Sequence, residues 1–116
     1  MVLVVDDDAL TRMGASDMFL DAGYEVLDAG SADEALRFFE MDSGIRLLFT
    51  DVSMPGAMNG ADLARQVATR WPDVGIILAS GRPRPDALPP RMRFHEKPYM
   101  PAAILRQAEE MMHPPE

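Results

Sequence analysis

The sequence contains no cysteine. It therefore forms no disulfide bond and offers no thiolate to a metal ion. The absence of cysteine fits a reducing compartment, and we expect a cytoplasmic protein.

The sequence also lacks a hydrophobic run of the length that crosses a bilayer. Its first apolar stretch, residues 2–5, stops at Asp6. Because a signal peptide needs a longer apolar region, we expect neither a signal peptide nor a membrane segment.

Basic residues are scarce, with 11 lysines and arginines against 19 acidic residues and a net charge of −8. Direct binding of nucleic acid requires a cationic face, so this charge balance disfavours it. The 116 residues, 47% of them hydrophobic, predict a single globular domain over residues 1–116. That length leaves little room for the separate cap or lid domain that some enzymes carry.

The chain alternates short apolar segments with helical patterns. Strands are predicted over residues 2–5, 24–28, 45–50, 74–79 and 92–96. Helices are predicted over residues 9–22 and 61–71, from a capping box at Ser31–Glu34, and from Pro101 onward. Such alternation is typical of a doubly wound α/β fold with a parallel sheet.

The apolar content of the strands predicts their order. The first, third and fourth strands are uniformly apolar, which is typical of the interior of a parallel sheet, whereas the second and fifth are mixed in polarity. The strand order 2-1-3-4-5, that of a flavodoxin-like fold, places the two mixed strands at the edges.

Two helices are less regular. In the first, Leu10, Met13, Gly14 and Met18 favour an apolar face, into which Asp17 intrudes. Residues 80–91 include prolines at positions 83, 85, 89 and 90, and a proline within a helix costs about 3 kcal/mol. We therefore predict that a fourth helix is shortened or replaced there by a proline-rich loop, with at most one turn at residues 86–88.

Acidic residues directly follow two of the apolar strands in the sequence. Asp6, Asp7 and Asp8 follow the first strand, and Asp51 follows the third. The predicted order makes these strands neighbours, so their carboxylates share one edge of the sheet. Clustered carboxylates are costly unless a cation lies among them. We therefore predict a divalent metal ion here, with Asp8 as a first-turn helix residue.

Four short motifs, in order and on suitable elements, resemble those of the receiver domain of bacterial response regulators over essentially the whole chain. They are Val4-Val5-Asp6-Asp7, Asp51, Met54-Pro55 with Asn59-Gly60, and Lys97-Pro98. Each motif is weak alone, whereas the ordered set is specific.

The resemblance implies a phosphoacceptor signalling domain that catalyses only its own phosphorylation and dephosphorylation. Asp51 would take a phosphoryl group from the phosphohistidine of a sensor histidine kinase or a phosphotransfer protein, and an output protein or domain would respond. Asp6, Asp7, Asp51 and the Ser53 carbonyl would bind Mg²⁺ or Mn²⁺. Lys97 would contact the phosphoryl group.

The switch residues depart from the family pattern. A hydroxyl residue usually ends the fourth strand, but here the strand ends Leu78-Ala79-Ser80-Gly81. Either Ala79 holds the switch position and the hydroxyl is missing, or Ser80 supplies it. Phe94 falls at the aromatic switch position and lacks a hydroxyl. The altered fourth helix predicts an altered output face.

Two other functions compete with this interpretation. Asp6-x-Asp8 after an apolar strand is also typical of haloacid-dehalogenase-like phosphatases, with Asp6 as nucleophile and Asp8 as general acid. A degenerate receiver that acts only as a protein-binding module is the second alternative. A flavin-binding flavodoxin is disfavoured, because acids stand where a phosphate-binding loop belongs.

Overall fold

A five-stranded parallel sheet forms the centre of the molecule. The computed structural model describes residues 1–42, 44–54, 56, 58–82 and 92–113. The strands are β1 (Val2–Val5), β2 (Val26–Ala29), β3 (Leu47–Asp51), β4 (Gly75–Ser80) and β5 (Met92–Glu96). The helices are α1 (Ala9–Asp21), α2 (Ala32–Met41), α3 (Gly60–Arg70) and α4 (Pro101–Met112).

The strand order is β2-β1-β3-β4-β5, with every pairing parallel, which confirms the predicted flavodoxin-like order. All four residues of β1 are buried, as are the first four of β3. β2 and β5 keep several residues partly exposed. The predicted division between interior and edge strands is therefore correct, because only a strand covered on both faces needs a continuous apolar sequence.

Helices cover both faces of the sheet. α1 and α4 pack on one face through Phe19 and Ile104, against β-strand residues that include Phe49. α2 and α3 pack on the other face through Phe39 and Leu63. The interior strands therefore contribute alternate side chains to two separate apolar layers, whereas β5 contributes Met92 and Phe94 to one of them.

The apolar face predicted for α1 is wrong. Ala15 and Phe19 are its buried residues, whereas Leu10 and Met13 are 79% and 58% exposed. α1 carries apolar residues on two sides, so its periodicity does not identify the buried side.

Helix N-caps fix where the helices begin. Asp8 is the N-cap of α1 and accepts a hydrogen bond from the Leu10 N–H, so its predicted first-turn position is corrected by one residue. Ser31 caps α2 as predicted. Asn59 and Asp62 form a reciprocal capping box at the start of α3, which satisfies two otherwise unpaired N–H groups.

The predicted proline-rich loop spans residues 80–91; Ser80 belongs to β4, and residues 83–91 lie outside the described residues. Elsewhere the predicted boundaries differ from the observed ones by two residues or fewer. Among the described residues, no helix combines the length and apolar composition needed to cross a membrane.

Candidate functional site

Three carboxylates meet at the carboxyl edge of the sheet. Asp51 is the last residue of β3, and Asp6 and Asp7 directly follow β1. One side-chain oxygen from each of the three lies within 4.8 Å of the other two. Because β1 and β3 are adjacent and parallel, their ends deliver these residues to the same place.

Backbone hydrogen bonds continue the sheet beyond the strand ends and hold this edge in place. The Asp6 N–H donates to the Ala29 carbonyl at 3.1 Å, and the Val52 N–H donates to the Ala79 carbonyl at 3.0 Å. The Lys97 N–H donates to the Ser80 carbonyl at 2.8 Å. The backbone next to the acidic residues and the lysine is therefore fixed by hydrogen bonds to the sheet.

Lys97 is the cation closest to the carboxylates in the described part of the chain. Its Nζ lies 3.5 Å from Asp51 Oδ2 and 3.7 Å from Asp6 Oδ2. Its side chain is 29% exposed, against 13% for Asp51 and 8% for Asp6. One ammonium thus faces two carboxylates, which leaves the cluster with excess negative charge.

Burial dominates the electrostatics of Asp6. It raises the pKa of the Asp6 carboxyl, and the charges of Asp51 and Asp7 raise it further. The hydrogen bond from the Asp8 N–H, at 2.9 Å from Asp6 Oδ1, and the charge of Lys97 both lower that pKa. In the metal-free site, ionisation of Asp6 is therefore less favourable than in water.

Ala79 stands beside Asp51 in the sheet, and Ser80 does not. The β3–β4 register pairs Asp51 with Ala79, and both line one small cavity together with Lys97. Ser80 is the next residue along, so its side chain points to the opposite face. Its hydroxyl accepts a hydrogen bond from the Arg82 N–H at 3.1 Å.

The other predicted site residues occupy two different places. Ser53 follows Asp51 in the loop, is exposed, and donates its N–H to Asp51 Oδ1 at 3.3 Å. Phe94 pairs with Leu78 in the sheet and packs against the apolar layer under α2 and α3. Phe94 therefore lies on the face of the sheet opposite to Ala79.

Thr11 and Tyr99 are site residues that no sequence motif predicted. Both line the cavity beneath Asp6 and Asp51, and the Tyr99 ring packs edge-on against Phe49 at 5.6 Å between centroids. Burial raises the pKa of the Tyr99 hydroxyl, and the charge of Asp6 raises it further. The one available signal was the position of Tyr99, two residues after Lys97.

A larger groove, of about 810 Å³, lies at the opposite edge of the sheet. It is lined by the ends of α2 and α3 and includes Arg46 and Trp71. Trp71 caps the C-terminus of α3 and stacks on Phe39 at 5.1 Å, in agreement with its predicted role as a packing residue at a helix end. This groove is therefore remote from the acidic cluster.

Residues 2–90 match the family model described as the response regulator receiver domain. The chain belongs to this family.

Relatives of this receiver domain include whole regulators. The chain is 32% identical over 109 residues to the response regulator protein FleR of Pseudomonas aeruginosa, covering 90% of this chain and 23% of FleR. It is 36% identical over 81 residues to the chemotaxis protein CheY of Thermotoga maritima, covering 68% of this chain and 65% of CheY. The chain thus spans about a quarter of FleR.

Solved structures share the fold of this receiver domain. A response regulator receiver protein from Sinorhizobium medicae superimposes with a TM-score of 0.91 at 22% identity, covering 99% of this chain and 95% of that one. The response regulator TrrA of Thermotoga maritima, in complex with Mg²⁺ and beryllium fluoride, superimposes with a TM-score of 0.86 at 25% identity. The match covers 95% of this chain and 96% of TrrA.

The donor set of this receiver domain fits a small hard cation. Asp6, Asp7 and Asp51 offer carboxylate oxygens, the ligand type that Mg²⁺ and Mn²⁺ prefer. Their spacing allows all three to reach one ion without rearrangement of the strands. The excess of negative charge at the cluster adds to the attraction for a divalent ion.

Proposed function

We propose that this receiver domain is the phosphoacceptor of a cytoplasmic two-component signalling system. Asp51 receives the phosphoryl group from the phosphohistidine of a sensor histidine kinase or a phosphotransfer protein. Phosphorylation then switches a face that binds a downstream output protein or domain. The observation that carries this proposal is the convergence of three carboxylates within 4.8 Å, with the Lys97 ammonium 3.5 Å from Asp51.

The acidic cluster would hold the metal ion that such a transfer needs. Asp6, Asp7 and Asp51 would supply carboxylate oxygens to Mg²⁺ or Mn²⁺, and Ser53 would add its backbone carbonyl. When bound, the ion offsets the negative charge of the attacking carboxylate and of the phosphoryl oxygens.

Asp51 is the nucleophile in the proposed transfer. One of its carboxylate oxygens attacks phosphorus, and the bond between phosphorus and the imidazole nitrogen breaks. The electron pair of that bond stays with the departing imidazole. Lys97 then contacts the phosphoryl oxygens with its flexible ammonium group. Later attack by water restores the Asp51 carboxylate and releases inorganic phosphate.

Phosphorylation by phosphoramidate tests the proposal. In the presence of Mg²⁺ we expect one phosphoryl group per chain, located on Asp51 by peptide mass spectrometry. Asp51→Asn should carry none, whereas Asp73→Asn, which removes an exposed acid at the other edge of the sheet, should react like the wild type. A phosphoryl group that persists in Asp51→Asn would refute the proposal.

The phosphatase alternative is disfavoured by the state of Asp8. That mechanism needs a protonated Asp8, but its carboxylate accepts hydrogen bonds from the Thr11 hydroxyl and the Leu10 N–H, and these lower its pKa. Asp8 also caps α1 through the hydrogen bond from the Leu10 N–H. Both contacts favour the ionised carboxylate, which disfavours Asp8 as a proton donor to a leaving group.

The degenerate-receiver alternative gains support from Ala79, which offers no hydroxyl beside Asp51. It predicts that the wild type takes no phosphoryl group from phosphoramidate and Mg²⁺. The phosphoramidate experiment therefore separates the two functions, since a phosphorylated Asp51 excludes a pure binding module.

A further inference from the structure

The Arg12 side chain connects three elements next to the acidic cluster. Its Nη1 donates to the backbone carbonyl of Asp6 at 2.7 Å, and its Nε lies 3.0 Å from Asp28 Oδ2 near the end of β2. The side chain extends from α1 and is 23% exposed. The guanidinium therefore ties the β1–α1 turn to the edge strand.

Asp6 is held at three points. Its N–H donates to Ala29, its side-chain Oδ1 accepts from the Asp8 N–H, and its carbonyl accepts from Arg12. The Arg12 bond is the shortest of the three, and a charged donor makes it stronger than a bond between neutral groups. Asp6 is buried, so loss of Arg12 would leave its partly buried carbonyl without that partner.

We propose that Arg12 is a positioning residue that fixes Asp6 for the divalent cation, with Asp28 as the anchor that orients the guanidinium. The inference rests on the proposed function, in which Asp6 is a ligand. Groups that orient a metal ligand without touching the metal raise its affinity, and their loss typically lowers metal affinity by about 10- to 100-fold.

The direction in which loss of Arg12 changes the metal affinity distinguishes a positioning role from a purely electrostatic one. A positive guanidinium near a cation site repels the cation, so removing it would tighten binding if charge alone mattered. Positioning predicts the opposite, because the Asp6 main chain loses its clamp. The pairing with Asp28 already compensates much of the repulsion.

Binding of Mn²⁺ to the unphosphorylated protein, measured from the electron paramagnetic resonance signal of free Mn²⁺, tests the proposal. We expect Arg12→Ala to raise the Kd about 10-fold. Arg12→Lys should recover little, since a lysine keeps the charge but lacks the planar fork that reaches both Asp6 and Asp28.

Arg70→Ala is the matched control. Arg70 pairs with Glu40 at 3.3 Å on the helix surface near the other edge of the sheet, and its loss should leave the Kd unchanged. Unchanged or tighter Mn²⁺ binding by Arg12→Ala would overturn the proposal.

Gly30→Ala provides a second variant that retains every charge. A Cβ at Gly30 would lie 3.3 Å from Arg12 Nη1, and the guanidinium has little freedom to move because it is bonded on two sides. We expect a smaller rise in Kd, of about 3-fold. This variant keeps the proposal testable if Arg12→Ala does not fold.

Amide hydrogen exchange of the metal-free protein gives a readout independent of metal. Arg12→Ala should accelerate exchange at the Asp6 and Asp8 amides, and Arg70→Ala should not. If wild-type protein binds no Mn²⁺, the proposed function itself fails. If the wild type binds but Arg12→Ala and Gly30→Ala bind equally well, only the positioning role is refuted.

Discussion

At the scale of single residues, Asp6 shows a conflict between stability and function. Burial and neighbouring acids raise its pKa, so the folded metal-free protein disfavours the ionised form. A raised folded-state pKa contributes stability that is fully present below the ordinary value of 3.8 and is lost as the pH rises through the folded-state value. At neutral pH the ionised Asp6 therefore destabilises the metal-free protein.

Asp6→Asn should relieve this cost. We expect the metal-free variant to melt above the wild type at pH 7, with the difference shrinking as the pH falls towards 4, because asparagine does not titrate. Thermal denaturation followed by circular dichroism measures this difference. Asp17→Asn, at an exposed position of α1, is the control and should shift the melting temperature little. A melting temperature at pH 7 equal to or below that of the wild type would contradict the expectation.

Ala79→Ser should add a hydrogen-bond donor next to Asp51. The register places residue 79 opposite Asp51, so a hydroxyl there can reach a phosphoryl analogue held on Asp51. A hydrogen bond to a charged group contributes about 1.5–3 kcal/mol, which corresponds to an affinity for beryllium fluoride at least about tenfold higher in the presence of Mg²⁺. Isothermal titration calorimetry measures this affinity.

The control for Ala79→Ser is Ser80→Ala. Residue 80 faces the other side of the sheet and bonds to the Arg82 N–H, so its loss should leave the affinity for beryllium fluoride unchanged. A large loss of affinity in Ser80→Ala, with none of the expected gain in Ala79→Ser, would assign the switch hydroxyl to Ser80 instead.

At the scale of elements, α3 starts in direct contact with the end of β3. The Gly60 N–H donates to the Val52 carbonyl at 2.9 Å. A Cβ at Gly60 would collide with the Asp51 carbonyl oxygen and lie 2.8 Å from the carbonyl carbon. Only glycine lets the helix approach this closely, which explains the glycine of the Asn59-Gly60 motif in physical terms.

Gly60→Ala should therefore destabilise the fold, by about 3 kcal/mol in urea denaturation, since the collision is with backbone that cannot move without displacing Asp51. Gly14→Ala is the matched glycine within a helix: nothing lies within 4 Å of its Cβ position. That variant should gain about 0.5–1 kcal/mol from helix propensity. Equal effects of the two substitutions would contradict this account.

The helices show where sequence patterns predict elements well. The Ser31–Glu34 pattern predicted the start of α2, where the Ser31 side chain accepts a hydrogen bond from the Glu34 N–H, because a cap is a local interaction within four residues. The buried face of α1 was not predictable, since the helix carries Leu10 and Met13 on one side and Ala15 and Phe19 on the other. Packing against the sheet determines which of the two sides is buried, and the sequence of the helix itself does not specify that packing.

At the scale of the whole molecule, strand order followed from composition. Continuous apolar strands are typical of the sheet interior, and the flavodoxin-like order that satisfies this pattern places β1 beside β3 and Asp6 beside Asp51, as observed. The choice between Ala79 and Ser80 depended on a register of one residue, which composition does not determine. The contact of Arg12 with Asp28, 16 residues apart, likewise required the fold.

The proline-rich segment leads to a prediction about the oligomeric state of the protein. It lies outside the described residues, so the prediction rests on its four prolines, from which we expect no regular fourth helix and an altered output face. We expect a monomer both with and without Mg²⁺ and beryllium fluoride, measured by size-exclusion chromatography with light scattering. A dimer that forms only on activation, through that face, would contradict the prediction.

The position of Trp71 has a practical consequence for spectroscopy. The single tryptophan lies at the end of α3 beside the amino ends of the strands, and the length of β3, roughly 15 Å, separates it from Asp51. We therefore expect its emission to report global unfolding and not ion binding. An optical assay of magnesium occupancy needs a fluorophore introduced near the carboxyl edge, and the native indole then serves as an internal reference for the integrity of the fold.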